Sequence, residues 1–157
     1  MQYPAATAVS LVTTIFVAAC GSSEGTGSNN GGSCSATTTF PAAALSTVTT
    51  DGGKLSVAIR SAPYQPLIAG LDCLELVVTD ASTGAGVDGL TITMTPWMPA
   101  MGHGASVTPL LTPLGDGKYV FTNVSLFMPG EWQLRTTFTG ASTGTAGDSV
   151  DPTFNVD

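Results

Sequence analysis

Glu131-Trp132-Gln133-Leu134-Arg135-Thr136-Thr137-Phe138 places a side chain suited to a protein interior at every second position, beginning with Trp132. Successive side chains of a β-strand point to opposite faces of a sheet, so a period of two predicts a strand with one buried face. The inward residues of this strand would be Trp132, Leu134, Thr136 and Phe138. The stretch therefore predicts a sheet that covers a core with one side.

The same alternation recurs along the chain on the N-terminal side of this strand and again near the C-terminus. Lys54–Arg60 is the clearest second case, with Leu55, Val57 and Ile59 inward. Further strands are predicted at Leu74–Val78, Leu90–Met94, Ala105–Leu111, Lys118–Val124 and Val150–Val156. Gly-, Asp- and Ser-rich turns separate them, and long helical periodicity is absent from the sequence. The pattern predicts an all-β fold, an immunoglobulin-like antiparallel β-sandwich of about seven strands that spans residues 36–157.

Tyr119 follows the turn Asp116-Gly117 and opens a late strand of the predicted sandwich. In immunoglobulin-like folds a tyrosine at such a place often forms a tyrosine corner, in which its hydroxyl bonds to the backbone. An ordinary half-buried tyrosine is the alternative interpretation.

The charge balance narrows the possible partners. The 157 residues include 11 acidic and 4 basic side chains, for a formal net charge of −7. A surface with so few cations cannot neutralise phosphates, so nucleic acid is not expected as a partner. The chain matches the pattern G-x-S-x-G at Gly21–Gly25 and at Gly140–Gly144, but no helix is predicted after either one, as a nucleophile elbow requires. We therefore predict that the protein is not an enzyme.

The N-terminal part of the sequence has the features of an export signal. Residues 8–17 are mainly apolar, and Val17-Ala18-Ala19-Cys20 resembles the lipobox of bacterial lipoproteins. This predicts a lipoprotein signal peptide at residues 1–19, lipidation of Cys20, and a flexible Gly/Ser/Asn tether over residues 20–35. The expected location is the bacterial cell envelope, where a lipid anchor holds the protein on a membrane outside the cytoplasm. A plain signal peptide and a buried strand are alternative interpretations of the run.

Lipidation of Cys20 would leave an even pair of cysteines, Cys34 and Cys73. In an oxidising compartment an even pair predicts a disulfide, which here would fasten the end of the tether to the domain. A pair of thiol metal ligands is the alternative.

Trp97-Met98-Pro99-Ala100-Met101-Gly102-His103-Gly104 gathers two thioethers, an indole and the protein's single imidazole. Thioethers are soft ligands that select monovalent copper, and imidazole also suits copper. We therefore predict a copper site, with Cu(I) as the expected ion and Met98, Met101 and His103 as ligands. Trp97 is a candidate for a cation-π contact with the bound ion. In an ideal strand Met98 would point away from the other two, so their convergence requires bending, which Pro99, Gly102 and Gly104 permit. The alternative is a bent connection whose methionines fill gaps in the core.

The order of the predicted strands adds a fourth candidate ligand. If successive strands reverse direction, Phe127-Met128-Pro129-Gly130 reaches the same end of the sandwich as the Met/His stretch. Met128 is then expected beside it, while the turns Ala81–Gly84 and Ala141–Gly144 fall at the opposite end.

W-M-P-A-M-G-H-G, G-D-G-K-Y and F-M-P-G-E-W-Q-L together resemble the YtkA-like and FixH-like family of bacterial extracytoplasmic domains, over about residues 54–138. The resemblance implies an immunoglobulin-like sandwich outside the cytoplasm, in a family associated with copper handling or assembly of copper-containing oxidases. It also implies that Met98, Met101 and His103 match an M-x-x-M-x-H element and that Met128 matches the later M-P-G turn. A copper-handling protein is then an expected partner. The rival function is a structural or protein-binding module without metal.

Overall fold

The computed structural model describes Cys34 and residues 38–157 of the chain. The predicted signal peptide, the predicted lipidation site Cys20 and most of the predicted tether lie outside the described residues.

The described residues form ten β-strands and two single 3-10 turns. The strands are β1 (Ser46–Thr49), β2 (Leu55–Ala62), β3 (Gly70–Asp80), β4 (Thr91–Met98), β5 (His103–Gly104), β6 (Leu110–Gly115), β7 (Lys118–Leu126), β8 (Gly130–Gly140), β9 (Gly144–Val150) and β10 (Thr153–Val156). The 3-10 turns are Pro99–Met101 and Ala141–Thr143. Within the described part of the chain, no helix has the length and apolar character needed to cross a bilayer.

The strands form two antiparallel sheets that pack face to face. One sheet has the order β1-β2-β3-β7-β6, and the other runs β10-β8-β4-β5 with β9 also paired to β8. Strands β9 and β10 follow one another along the edge of β8 that lies opposite β4. The all-β antiparallel sandwich predicted from the sequence is confirmed.

The ten strands exceed the predicted number of about seven because one predicted strand is divided and two short strands were not predicted; one further predicted strand is displaced. The predicted strand Val150–Val156 is divided between β9 and β10 at Asp151-Pro152, since proline has no backbone N–H to donate. The predicted strand Ala105–Leu111 is displaced to β6, because residues 105–109 cross from the edge of one sheet to the edge of the other. The short strands β1 and β5 had too few residues to show a period.

The core lies between the sheets and follows the predicted alternation. Leu55, Val57 and Ile59 of β2 are buried, and so are Trp132, Leu134 and Phe138 of β8. Packing of these apolar side chains against each other is the main source of stability, because each buried side chain of this size contributes roughly 1.5–3 kcal/mol.

Tyr119 is fully buried on β7, and its hydroxyl joins two segments of the chain. The hydroxyl donates to the carbonyl oxygen of Val87 at 2.9 Å and accepts from the backbone N–H of Leu90 at 3.2 Å. The ring fills the core while the hydroxyl fixes the segment that leads into β4. Tyr119 therefore bonds to the backbone as the tyrosine of a tyrosine corner does, but its partners lie about thirty residues upstream instead of a few, so the bond joins separate segments.

We expect Tyr119→Phe to lower the free energy of unfolding by about 1–3 kcal/mol, because two buried backbone groups lose their partner. Urea unfolding followed by fluorescence measures the change. Tyr64→Phe is the matched control, since Tyr64 is exposed, and it should leave the midpoint unchanged. Equal effects of the two substitutions would contradict the assignment.

Candidate functional site

Three loops meet at one end of the sandwich, which carries the sequence motifs. They are residues 63–69 between β2 and β3, residues 99–102 between β4 and β5, and residues 127–129 between β7 and β8. The pairing of Gly70 with Leu126 brings the first and third loops together. A Cβ atom added to Gly130 would lie 2.9 Å from Cε of Met98, which brings the second loop to the third. The topology predicted from strand alternation is thus observed, and the Ala81–Gly84 and Ala141–Gly144 turns lie at the other end.

The Met/His stretch folds as a tight hairpin. Pro99–Met101 forms a 3-10 turn, and Gly102 ends it with a φ of 66°, a left-handed conformation that glycine adopts without a steric penalty. The chain therefore reverses, and Met98 pairs with His103 across β4 and β5. Directly opposite residues of an antiparallel pair share a face. The hairpin, rather than a bent strand, places Met98 and His103 on the same side of the sheet.

The two methionines of the hairpin have different surroundings. Met98 is 6% exposed and belongs to the core, where it packs against Gly130. Met101 stands on the 3-10 turn and is 59% exposed. Met98 is therefore a core side chain behind the hairpin, and Met101 is its most accessible thioether.

His103 and Met128 line one cavity of about 230 Å³. The other residues of its wall are Gly104, Ala105, Ser106, Ser125, Phe127 and Trp132. Met128 is half-buried, and its carbonyl oxygen accepts a hydrogen bond from the indole Nε1 of Trp132 at 2.8 Å. Because Trp132 is itself buried on β8, this bond fixes the 127–129 loop next to the hairpin.

The imidazole of His103 is exposed, and one of its nitrogens is engaged. Nδ1 lies 3.2 Å from the carbonyl oxygen of Gly104. A carbonyl oxygen only accepts hydrogen bonds, so Nδ1 carries a proton in this contact, and in the neutral imidazole the lone pair that can bind a metal ion is then on Nε2. A second hydrogen bond of this kind is the usual way in which proteins orient a metal-binding histidine.

Trp97 lies on the outer face of the sheet that contains β4 and makes a cation-π contact with Arg135. The guanidinium carbon of Arg135 lies 4.4 Å from the centre of the indole ring. Trp97 and Met98 are neighbours on a strand, so their side chains point to opposite faces. The structure therefore places Trp97 away from the His103 cavity, with Arg135 in the position that the sequence analysis assigned to a metal ion.

Cys34 and Cys73 form a disulfide, with their Cα atoms 5.9 Å apart. Both sulfurs are thus engaged with each other, and the bond ties Cys34 to β3 a few residues from the three loops. Among Cys34 and residues 38–157, no group of three His, Cys, Asp or Glu side chains is arranged to hold a metal ion.

A larger depression of about 480 Å³ lies at the opposite end and includes Asp51 and Asp148 in its wall. Its carboxylates already have partners, since Asp51 accepts from the Ser149 hydroxyl and Asp148 from the backbone N–H of Gly52. Burial alone would raise the pKa of Asp148, but hydrogen bonds from Thr50, Gly52 and Ser149 outweigh it and hold the pKa below its usual value. These carboxylates therefore join the turn at residues 51–52 to β9 through hydrogen bonds.

The sequence analysis missed two contributors to the cavity. Trp132 was interpreted as a core residue only, and Ser125 gave no signal in the sequence. Both residues line the cavity because β7 and β8, which belong to different sheets, come together at this end. A contact between sheets cannot be predicted from the pattern of neighbouring residues in the sequence.

A family model described as YtkA-like matches residues 52–137, more than half of the chain. The match covers the hairpin, the 127–129 loop and most of β8. No curated protein and no solved structure matches the chain.

Proposed function

The chain belongs to the YtkA-like family, and from that premise we propose that it binds copper as Cu(I) at the His103–Met128 cavity and handles the ion outside the cytoplasm. The site residues of the proposal are His103, Met128 and Met101, with Met98 behind them.

One observation carries the proposal. His103 and Met128 come from different loops, yet they line the same cavity of about 230 Å³. The pairing of a soft thioether with an imidazole whose Nε2 is free is a donor set that favours copper over Mg²⁺ or Ca²⁺, which prefer oxygen ligands. The residues present therefore fit the ion.

The remaining thioethers differ in what they can contribute. Met101 is accessible on the hairpin and needs only rotation of its flexible side chain to approach an ion near His103. Met98 is held in the core beside Gly130, so its first role is to support the hairpin from below. We assign His103 and Met128 the main part in binding and Met101 a secondary part.

The sequence supports a location for this activity. The lipobox-like run ending at Cys20 favours a lipid anchor in the bacterial cell envelope, and a partner that gives or receives copper would meet the protein there. The Cys34–Cys73 disulfide agrees with an oxidising compartment.

Competition for copper tests the proposal. The full chain is titrated with Cu(I) against a chromogenic chelator, without oxygen and with ascorbate as reductant, which spares the disulfide and adds no thiol reagent that would compete for copper. We expect the wild-type chain to withhold copper, and His103→Ala and Met128→Leu each to weaken the affinity about tenfold or more, since each removes a ligand.

Met94→Leu is the matched control. Met94 is buried on β4 away from the cavity wall, so its loss should leave copper affinity unchanged. If the wild type competes no better than the His103→Ala variant, the copper proposal fails. A non-metal binding module would then be the remaining function.

A further inference from the structure

The end of the sandwich that holds the candidate copper site also carries four of the seven large hydrophobic side chains that are exposed among the described residues. Four large hydrophobic side chains are exposed on its loops: Tyr64 at 54%, Ile68 at 37%, Met101 at 59% and Phe127 at 60%. They stand on all three loops, residues 63–69, 99–102 and 127–129, which we name the apolar tip. An exposed apolar surface shared by several loops is typical of an interaction site.

The loops at the two ends of the sandwich differ in charge. The three loops of the apolar tip contain no Asp, Glu, Lys or Arg. The turns at the other end carry Asp51, Lys54, Asp88 and Asp116. Three acidic residues border the tip: Asp72 near the start of β3, Glu131 near the start of β8, and Asp157, whose backbone carbonyl oxygen accepts a hydrogen bond from the N–H of Ala69. The loops of the tip can thus lose water without burying a charged side chain.

The course of the chain indicates what covers the tip. Cys34 is bonded to Cys73, which lies near the Gly70 end of β3 and therefore near the tip. Upstream of Cys34 are the apolar run and Cys20, the expected point of lipid attachment. Even fully extended, the chain from Cys20 to Cys34 spans no more than about 50 Å. A tether of this length keeps the domain close to the membrane, and its attachment point on the domain lies in the half of β3 that is nearer the tip.

We propose that the apolar tip docks into the interfacial region of a lipid bilayer, with Phe127, Ile68 and Tyr64 among the headgroups and first acyl carbons. A tether at one residue leaves the orientation of the domain open, and a second apolar contact fixes it. The net charge of −7 is repelled by anionic lipid, so the contact is with neutral headgroups. Docking holds the cavity lined by His103 and Met128 at the membrane surface.

This inference rests on the membrane attachment in the proposed function and is independent of copper. It is tested with the full chain on phosphatidylcholine vesicles that contain brominated acyl chains, which quench tryptophan by contact. Phe127→Trp reports on the tip, and Ala85→Trp, at an exposed position of the opposite end, is the matched control. The signal of Trp97 and Trp132 is subtracted with the wild-type chain.

We expect quenching of the tryptophan at 127 to exceed that at 85 at least twofold, with a shift of its emission to shorter wavelength. Adding Ile68→Glu to the Phe127→Trp chain should reduce the quenching by half or more, because a charge enters the contact. Equal quenching at the two positions would overturn the inference and leave a partner protein as the occupant of the tip. If the chain floats free of the vesicles, the attachment fails as well, while the copper titration stands unaffected.

Discussion

Reducing the Cys34–Cys73 disulfide should lower the free energy of unfolding by about 2–4 kcal/mol. The bond closes a loop with a sequence separation of 39, and opening it restores conformational freedom to the unfolded chain. In the folded state the released Cys73 thiol remains in an apolar position on β3, where it is 1% exposed. Urea unfolding of the full chain, with and without a thiol-free reductant, gives the difference.

Cys34→Ala provides the matched comparison, because Cys34 is half-buried and leaves no cavity in the core. The variant should have the stability of the reduced wild-type chain, and reductant should not change it further. A variant that reductant destabilises as much as the wild type would contradict the assignment of the effect to this bond.

Asp72→Asn should raise the free energy of unfolding at pH 8 by roughly 1–3 kcal/mol and change it little at pH 4. Asp72 is buried on β3, opposite Val124, and its Oδ2 has no hydrogen-bond partner. Burial raises the pKa of this carboxyl to about 7, because the charged form loses its hydration.

The direction in which pH changes the free energy of unfolding depends on whether the folded or the unfolded chain holds the proton on Asp72. Between about pH 4 and 7 the folded chain keeps the proton on Asp72 while the unfolded chain releases it. The contribution of Asp72 to stability is therefore complete below the unfolded pKa and is lost as the pH rises through about 7. Asparagine has nearly the same shape and no charge, so the loss at high pH disappears.

Urea unfolding of the wild-type and Asp72→Asn chains from pH 4 to pH 8 gives the difference in their free energies of unfolding at each pH. Asp80 and Asp148, whose pKa values are lowered, produce the opposite trend in each chain and cancel in the comparison. Parallel stability curves for wild type and variant would show that the carboxyl of Asp72 is not desolvated.

The period-of-two alternation predicted the strands in the middle of the sheets well, but it predicted the bounds of the edge strands poorly. Leu55, Val57 and Ile59, like Trp132, Leu134 and Phe138, lie in the core as the alternation indicated. Residues 105–109 and the break at Pro152 were assigned incorrectly, because a crossing between sheets and an interrupted edge follow from the partner strands. Asp72 gave no signal, since an acidic residue in a strand is ordinarily exposed.

The candidate site was also predicted only in part. Strand reversal correctly brought the 127–129 loop to the Met/His stretch, but it could not separate the roles of the residues. Met98 proved to be a core residue and Trp97 the partner of Arg135. The disulfide partners followed from counting cysteines in a chain that the sequence predicts to be exported, whereas their position near the apolar tip did not.

The sequence by itself determined the antiparallel sandwich and the family, because a period of two and the Gly, Pro and Asp of the turns act over a few neighbouring residues. The tertiary structure decided which side chains share a space. The cavity of His103 and Met128, the burial of Asp72 and the meeting of three uncharged loops all arise where segments distant in the chain pack together. Such contacts depend on how two sheets meet, and that geometry is a property of the whole fold.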